Sequence, residues 1–201
     1  MFTPLKQKIS RGEKQNPTSQ KRKYKGKEEF FFIFVWYFAH LIVSLLPKQN
    51  SMDKTDLRKY IFEQNRLHSV DEKATLSRKI CDKIMAHEAV ESANTIVLFW
   101  SLKSEVDTHE MVVELVKEKN VILLTQSADT PPVTPPKDAV IIVPGVAFDS
   151  KGYRLGRGKG YYDRYLGSLA ENYKIGICFP WQMVEKVPTD SHDVCVNEVI
   201  F

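Results

Sequence analysis

The spacing of hydrophobic positions after residue 52 changes along the chain between helical and strand-like patterns. Apolar residues at helical spacing predict a first helix over 54–67, with Asp53 or Thr55 as its N-cap. Ser69, followed three residues later by an acidic residue, has the capping-box spacing. Apolar residues then recur every fourth position, which predicts a second helix over 69–87.

Short apolar runs rich in β-branched and aromatic residues follow and predict buried strands. The predicted strands cover 95–100, 121–124, 139–143, 174–178 and 194–201. Helical patterns over 108–119 and 161–170 separate them, whereas four prolines make 125–138 a loop. Strand–helix–strand order is typical of parallel crossovers. We therefore predict a single α/β domain over 52–201, with an open, mostly parallel sheet covered by helices on both faces.

The net charge of the chain changes sign near residue 52, where the predicted domain begins. Residues 1–51 carry ten Lys or Arg against three acids, so the net charge of +4 becomes +7 there and −3 in the remainder. A basic surface for nucleic acid is therefore not expected on the folded part. Cys81, Cys178 and Cys195 have no metal-ligand spacing and are odd in number, which indicates neither zinc nor a disulfide framework. A reducing, cytoplasmic compartment is predicted.

The basic segment 1–51 is predicted to be a disordered tail, interrupted by the apolar stretch 30–46. That stretch contains 17 residues without a formal charge, the short end of what spans a bilayer. Two interpretations stay open. Either 30–46 is a genuine membrane anchor, or the natural polypeptide begins at Met52 and the preceding residues come from a mis-assigned start.

The 22 residues 144–165, directly after a predicted strand, concentrate five glycines, five basic residues and four tyrosines. Between Gly156 and Gly160, three glycines alternate with Arg157 and Lys159. Such a loop lets backbone N–H groups and cations approach phosphate oxygens closely. It matches neither the dinucleotide spacing GxGxxG nor the P-loop spacing GxxxxGK[ST].

The motif PGVAFDSKGYRLGRGKGYYDRY is accompanied by Lys54, Leu57 and Arg58 near the start of the domain, by EVDT at 105–108 and by a late His-Asp pair. Together these motifs resemble the 5-formyltetrahydrofolate cyclo-ligase family. The resemblance implies ATP- and Mg²⁺-dependent conversion of 5-formyltetrahydrofolate to 5,10-methenyltetrahydrofolate, with release of ADP and phosphate, by a monomer. Phosphoryl transfer requires positioning and neutralised charge, which suits this basic, glycine-rich segment.

The resemblance also implies roles for individual residues. Lys159, assisted by Arg157, would stabilise the transferring phosphoryl group. Asp163 and Asp193 would bind magnesium, and Trp100, Glu105 and Tyr161 would contact the folate. The residues implied in ATP binding are Lys54, Arg58, Arg154, Leu155, Gly156, Arg157, Gly158, Lys159, Gly160, Tyr161 and Tyr162. His192 receives no catalytic role, and Trp181 and Gln182 border the expected pocket.

One segment departs from the family pattern. The family has a much longer stretch between the second and third strands, and part of it encloses the folate; here only 125–138 is present. The alternative prediction is therefore a catalytically impaired relative that binds nucleotide or folate. On either prediction, ATP·Mg²⁺ binding is expected to survive better than folate binding.

Overall fold

A computed structural model of the chain describes residues 52–124 and 133–201. The predictions for the tail 1–51, for the apolar stretch 30–46 and for most of the proline-rich loop lie outside these residues. The described end of that loop, 133–138, contains neither helix nor strand, as predicted. Within the described ranges, every helix is too short or too polar to cross a bilayer.

The described residues form five α-helices, four of them where the caps and apolar spacing predict a helix, and one 3₁₀ turn that was not predicted. Asp53 caps the first helix, where its Oδ1 accepts from the backbone N–H groups of Thr55 at 2.7 Å and Asp56 at 2.8 Å. Ser69 Oγ caps the second by accepting from Glu72 N at 3.1 Å. The helices are α1 Lys54–Arg66, α2 Val70–Met85, α3 Glu88–Ser92, α4 His109–Glu118 and α5 Tyr161–Gly167, with the 3₁₀ turn at Pro180–Gln182. The five-residue α3 was not predicted.

Five strands form a parallel sheet, which confirms the predicted architecture. The strands of the described residues are β1 Thr95–Phe99, β2 Asn120–Leu124, β3 Val140–Pro144, β4 Ala147–Asp149, β5 Arg154–Leu155, β6 Tyr173–Ile177, β7 Met183–Val184 and β8 Glu198–Ile200. In the large sheet the order is β2-β1-β3-β6-β8, and each neighbouring pair is parallel. The carboxyl ends of β1, β3 and β6 therefore open at one edge, where ligands of such sheets bind.

Alternate residues of the central strands pack against helices on opposite faces of the large sheet. Ile96 and Leu98 face the cluster that contains the buried side chains of α2 and α4. Val97 faces the other cluster, which contains Tyr165 and Leu166 of α5. The helices thus cover both faces, as the sequence predicts, and fix the edge from which the loops emerge.

The start of the glycine-rich segment is not a simple loop, and this part of the prediction is wrong. β4 pairs antiparallel with β5 and parallel with β7, forming a second, three-stranded sheet. Strands of two or three residues are too short to show a period. Leu57 and Ile61 of α1 pack onto this small sheet. Its turn contains Gly152, at φ 81°, whose carbonyl accepts from Val196 N at 2.9 Å.

Candidate functional site

The conformation of the glycine loop, residues 156–160, depends on its glycine backbone and on a contact from helix α1. Gly158 has φ 96°, a conformation that residues with a Cβ rarely adopt. Arg58 Nε donates to Gly156 O at 2.8 Å, and the Arg58 guanidinium carbon lies 3.6 Å from the place of a Cβ on Gly158. The structure therefore brings together Arg58 and the glycine loop, which are 98 residues apart in the chain.

Arg154 differs from the other basic residues of this region because it is buried. Its Nη2 donates to Asp163 Oδ1 at 2.7 Å, and its guanidinium lies over the Tyr162 ring, 5.4 Å from the centroid. Burial lowers the pKa of Arg154, although the Asp163 carboxylate opposes the shift. Burial also raises the pKa of Tyr162. Within the described residues, Arg154 Nε and Tyr162 Oη are buried without a hydrogen-bond partner.

Arg157 connects the glycine loop to the β1 loop, residues 100–108. Its Nε donates to Glu105 Oε1 at 3.2 Å, and its Nη2 donates to Ser104 Oγ at 2.7 Å. The other carboxylate oxygen of Glu105 accepts from Leu102 N at 2.9 Å, which orients the side chain. The proposed phosphate-binding and folate-binding residues are therefore neighbours across this contact.

The predicted Trp100 and three polar side chains that sequence reasoning missed set the shape of the β1 loop. Trp100 is half exposed and stacks on His109, with ring centroids 4.1 Å apart. His109 Nδ1 lies 3.1 Å from Asp107 Oδ1, and its Nε2 lies 3.4 Å from Ser101 Oγ. Ser101 is buried and its Oγ accepts from Thr108 N, so this Ser-His-Asp group serves as a structural network. Only the short sequence separation of these residues could have indicated it.

The acidic loop, residues 190–193, faces the start of α1. The ligand atoms of Asp190, His192 and Asp193 lie within 4.8 Å of one another. Lys54 Nζ lies 2.8 Å from Asp190 Oδ2 and 2.5 Å from Asp193 Oδ2. Asp190 and His192 were not among the metal residues predicted from the sequence, and Asp163 lies instead against Arg154.

Electrostatic interactions between Lys54 and the acidic loop shift the pKa values of Lys54 and Asp193. Desolvation alone would lower the pKa of Lys54, but hydrogen bonds and attraction to Asp190 and Asp193 raise it overall. Desolvation alone would raise the pKa of Asp193, but the hydrogen bond from Lys54 and the backbone N–H of Asp190 lower it overall. Both groups are therefore held in their charged forms.

The remaining predicted residues lie along the same loop and helix. Lys159 is exposed, and no ion pair engages its ammonium within 52–124 and 133–201. Leu155 is buried in β5, and Gly160 caps α5. Tyr161 lies edge-on to Tyr162 with centroids 5.3 Å apart.

Trp181 and Gln182 follow β6 and have separate structural roles. The Trp181 ring stacks on His68 at 3.5 Å and on Phe179 at 4.7 Å between centroids. Gln182 is buried, and its amide donates to the carbonyls of Gly145 and Val146. The aromatic stack thus connects the end of α1 to the sheet edge.

The motifs that the fold brings to this edge are those of a known family. The model of the 5-formyltetrahydrofolate cyclo-ligase family matches residues 50–134 and 124–201. The chain belongs to the 5-formyltetrahydrofolate cyclo-ligase family. The cyclo-ligase match takes in α1, the β1 loop, the glycine loop and the acidic loop.

Individual relatives agree with this assignment. The chain is 34% identical to a 5-formyltetrahydrofolate cyclo-ligase of Mycoplasma pneumoniae over 164 residues, covering 74% of this chain and 98% of the relative. It is 26% identical to the mouse cyclo-ligase over 190 residues, covering 74% and 93%. A solved 5,10-methenyltetrahydrofolate synthetase of M. pneumoniae has a TM-score of 0.64 at 31% identity, covering 74% and 98%. The solved 5,10-methenyltetrahydrofolate synthetase of Aquifex aeolicus has a TM-score of 0.63 at 31% identity, covering 74% of this chain and 89% of that structure.

The same comparisons show that this cyclo-ligase is shorter inside the domain. The alignment with the mouse protein spans 190 positions, but 74% of a 201-residue chain is about 149 residues, which leaves about 40 positions without a counterpart. In the alignment with the M. pneumoniae protein, about 15 of the 164 positions have no counterpart in this chain. The two pieces of the family match meet at 124–134, after β2.

Proposed function

We propose that this protein converts 5-formyltetrahydrofolate to 5,10-methenyltetrahydrofolate, with ATP hydrolysed to ADP and phosphate in a Mg²⁺-dependent reaction. The observation that carries the proposal is the convergence of Arg58 and the glycine loop across 98 residues, in a chain that belongs to the cyclo-ligase family. A run of charged residues on the surface needs no support from another element. Here Arg58, 98 residues earlier in the chain, donates to the backbone of the loop.

The acidic loop fits a magnesium ion by the chemistry of its donors. Asp190 and Asp193 supply hard carboxylate oxygens, of which one or two per ion is typical for Mg²⁺. The loop already accommodates a cationic group, because Lys54 Nζ contacts both carboxylates. Bound Mg²⁺ would neutralise phosphate charge. Asp193 is the proposed principal ligand and Asp163 the proposed second one, which requires that Asp163 be released from Arg154.

The cations of the site have distinct proposed roles in phosphoryl transfer. Lys159, whose ammonium is exposed, binds the γ-phosphate and stabilises the charge on the transferring group. Arg157 assists it, and Lys54 and Arg58 bind phosphates from α1. The N–H groups of the glycine loop surround the nucleotide together with Leu155, Tyr161 and Tyr162. Buried Arg154 supports the loop from inside while it faces Asp163.

In this scheme the formyl oxygen attacks the γ-phosphorus, an oxygen–phosphorus bond forms and the bond to ADP breaks. N10 of the folate then bonds to the activated formyl carbon and loses its proton to solvent, the bond from that carbon to the former formyl oxygen breaks, and phosphate leaves with this oxygen. The Glu105 carboxylate accepts from N–H groups of the folate, and the exposed face of Trp100 packs on its ring system. Tyr161 lies between the two ligands. The contact between Arg157 and Glu105 supports this proposed proximity of the two substrates.

The absorbance of 5,10-methenyltetrahydrofolate tests the reaction directly. The full chain is mixed with 5-formyltetrahydrofolate, ATP and Mg²⁺, and product is expected to accumulate only when all three are present. Absence of ATP-dependent product from folded protein would refute the proposed activity.

A second candidate is a relative that binds nucleotide without turnover. The observation that favours it is the loss of about 40 aligned positions relative to the mouse protein. The absorbance assay separates the candidates by turnover, and isothermal titration with each ligand measures how much the shortened segment weakens folate binding. ATP·Mg²⁺ is expected to bind at least about tenfold more tightly than 5-formyltetrahydrofolate, a difference of about 1.4 kcal/mol. The reverse order would show that the shortened segment leaves the folate side intact.

A further inference from the structure

Lys54 makes a contact that the proposed phosphate-binding role does not explain. Its Nζ lies between two carboxylates, 2.8 Å from Asp190 Oδ2 and 2.5 Å from Asp193 Oδ2. The carboxylates come from residues 136 and 139 positions further along the chain. The Asp193 side chain is only 9% exposed, whereas that of Asp190 is 59% exposed. Lys54 therefore reaches from α1 to the oxygens of the acidic loop.

A metal ion on Asp193 would compete with Lys54 for the same oxygen atom. Asp193 Oδ2 already accepts from Asp190 N at 2.7 Å as well as from Lys54 Nζ. A third donor or ligand at this oxygen leaves no room for the ammonium, and two close cations repel each other. The ammonium is carried on a flexible four-carbon stem, so it can move away without moving α1.

Once displaced, Lys54 is suited to an anion. It is the first residue of the 13-residue helix α1, so its charge adds to the positive end of the helix dipole. Such a helix start attracts phosphate oxygens. The nearby Arg58 on the same helix already contacts the glycine loop.

We propose that Lys54 is an internal counter-ion of Asp190 and Asp193, and that a divalent cation exchanges with it and thereby releases the ammonium toward phosphate. This inference rests on the proposed magnesium role of Asp193. It adds Asp190 as a residue that holds Lys54 in the ligand-free state and supports the cation afterwards. Cation binding and phosphate binding are then coupled through one side chain.

Mn²⁺ binding without nucleotide tests the exchange, with the free Mn²⁺ signal followed by electron paramagnetic resonance on the full chain. Lys54→Met is expected to tighten Mn²⁺ binding about tenfold, because the competing ammonium is gone. Asp190→Asn added to Lys54→Met is expected to reverse most of that gain. Lys59→Met is the matched control, since exposed Lys59 pairs with Asp56 on the same helix. Unchanged or weaker binding by Lys54→Met, or an equal gain in the control, would overturn the proposal.

A measurement on the wild-type chain covers the case in which a variant does not fold. Trace acetylation followed by peptide mass spectrometry reports how accessible each lysine is. Addition of Mn²⁺ is expected to increase labelling of Lys54 several-fold and to leave Lys59 unchanged; no change at Lys54 would contradict the exchange. Neither assay uses folate or detects product, so a failure of the proposed reaction would appear separately, as absent methenyltetrahydrofolate.

Discussion

The glycine loop and the β1 loop meet at the Arg157–Glu105 contact but are built differently. In the glycine loop, conformation depends on the backbone, as the φ of 96° at Gly158 shows, and on the Arg58 contact with a carbonyl. In the β1 loop, it depends on side chains, since Ser101 Oγ accepts from Thr108 N and Thr108 Oγ1 donates to Phe99 O. The backbone-built glycine loop leaves the Lys159 ammonium available for a ligand, whereas the side-chain-built β1 loop uses its hydroxyl groups internally.

The largest effect is expected at the glycine loop. Lys159→Met should lower kcat for methenyltetrahydrofolate formation about 10³-fold, because one cation on the transferring phosphoryl group contributes on that scale. The melting temperature should stay unchanged, since exposed surface charges contribute little stability. Lys151→Met, at an exposed lysine of the preceding turn, is the control. A kcat within tenfold of wild type would remove Lys159 from its proposed role.

Cysteine alkylation tests whether the β1 loop opens in solution. Burial raises the pKa of Cys81 and of Cys178 to about 12, whereas Cys195 is exposed. At pH 8, iodoacetamide should modify Cys195 at least about 100-fold faster than the other two. Cys81 Sγ donates to Asp107 O at 3.3 Å, so early modification of Cys81 would reveal that the β1 loop opens. Peptide mass spectrometry over time provides the rates.

The same raised pKa values predict a pH dependence of stability. The folded-state pKa of each buried thiol exceeds the ordinary value of 9.0, so the unfolded chain loses these protons first as pH rises. Their contribution to stability is therefore complete below pH 9 and decreases between pH 9 and about pH 12. Denaturant unfolding at pH 8 and pH 10 measures this decrease; greater stability at pH 10 would contradict the assignment.

A smaller, selective effect is expected at the β1 loop. Glu105→Gln should raise the KM for 5-formyltetrahydrofolate about tenfold, because a charged acceptor is replaced by a neutral one. The KM for ATP should change less than about twofold. Glu110→Gln is the control, since Glu110 is highly exposed on α4. Equal changes in both KM values would mean that the Arg157–Glu105 contact serves the glycine loop instead.

The smallest effect concerns the aromatic stack that supports α1. His68→Ala removes the ring stacked on Trp181 and should cost about 1 kcal/mol of unfolding free energy. The melting temperature should fall by about 4 °C at this domain size. Leu67→Ala, at a residue that is 75% exposed, should change it much less. An unchanged melting temperature in His68→Ala would show that the stack contributes no stability to this region.

Local pattern predicts the longer helices and strands of this fold and their N-caps, but neither its short elements nor its distant contacts. The N-caps Asp53 and Ser69 lie within three residues of their partners, so the sequence reveals them directly. Lys54 and Asp193 are 139 residues apart, and no local pattern specifies their pairing. Arg154 is a second example. Its position in a basic loop predicts a contact with ATP, but the fold buries its side chain against Asp163.

Gly152 would be misjudged in a saturation mutagenesis screen. A Cβ at this position would collide with the carbonyl oxygen of Val196, and its φ of 81° disfavours any side chain. Substitutions there should be as poorly tolerated as those at Lys159, although Gly152 carries no functional group. A screen scored only by growth would therefore rank a structural turn among the residues of the active site. Abundance measured beside growth would separate the two, since only the Gly152 variants should lose folded protein.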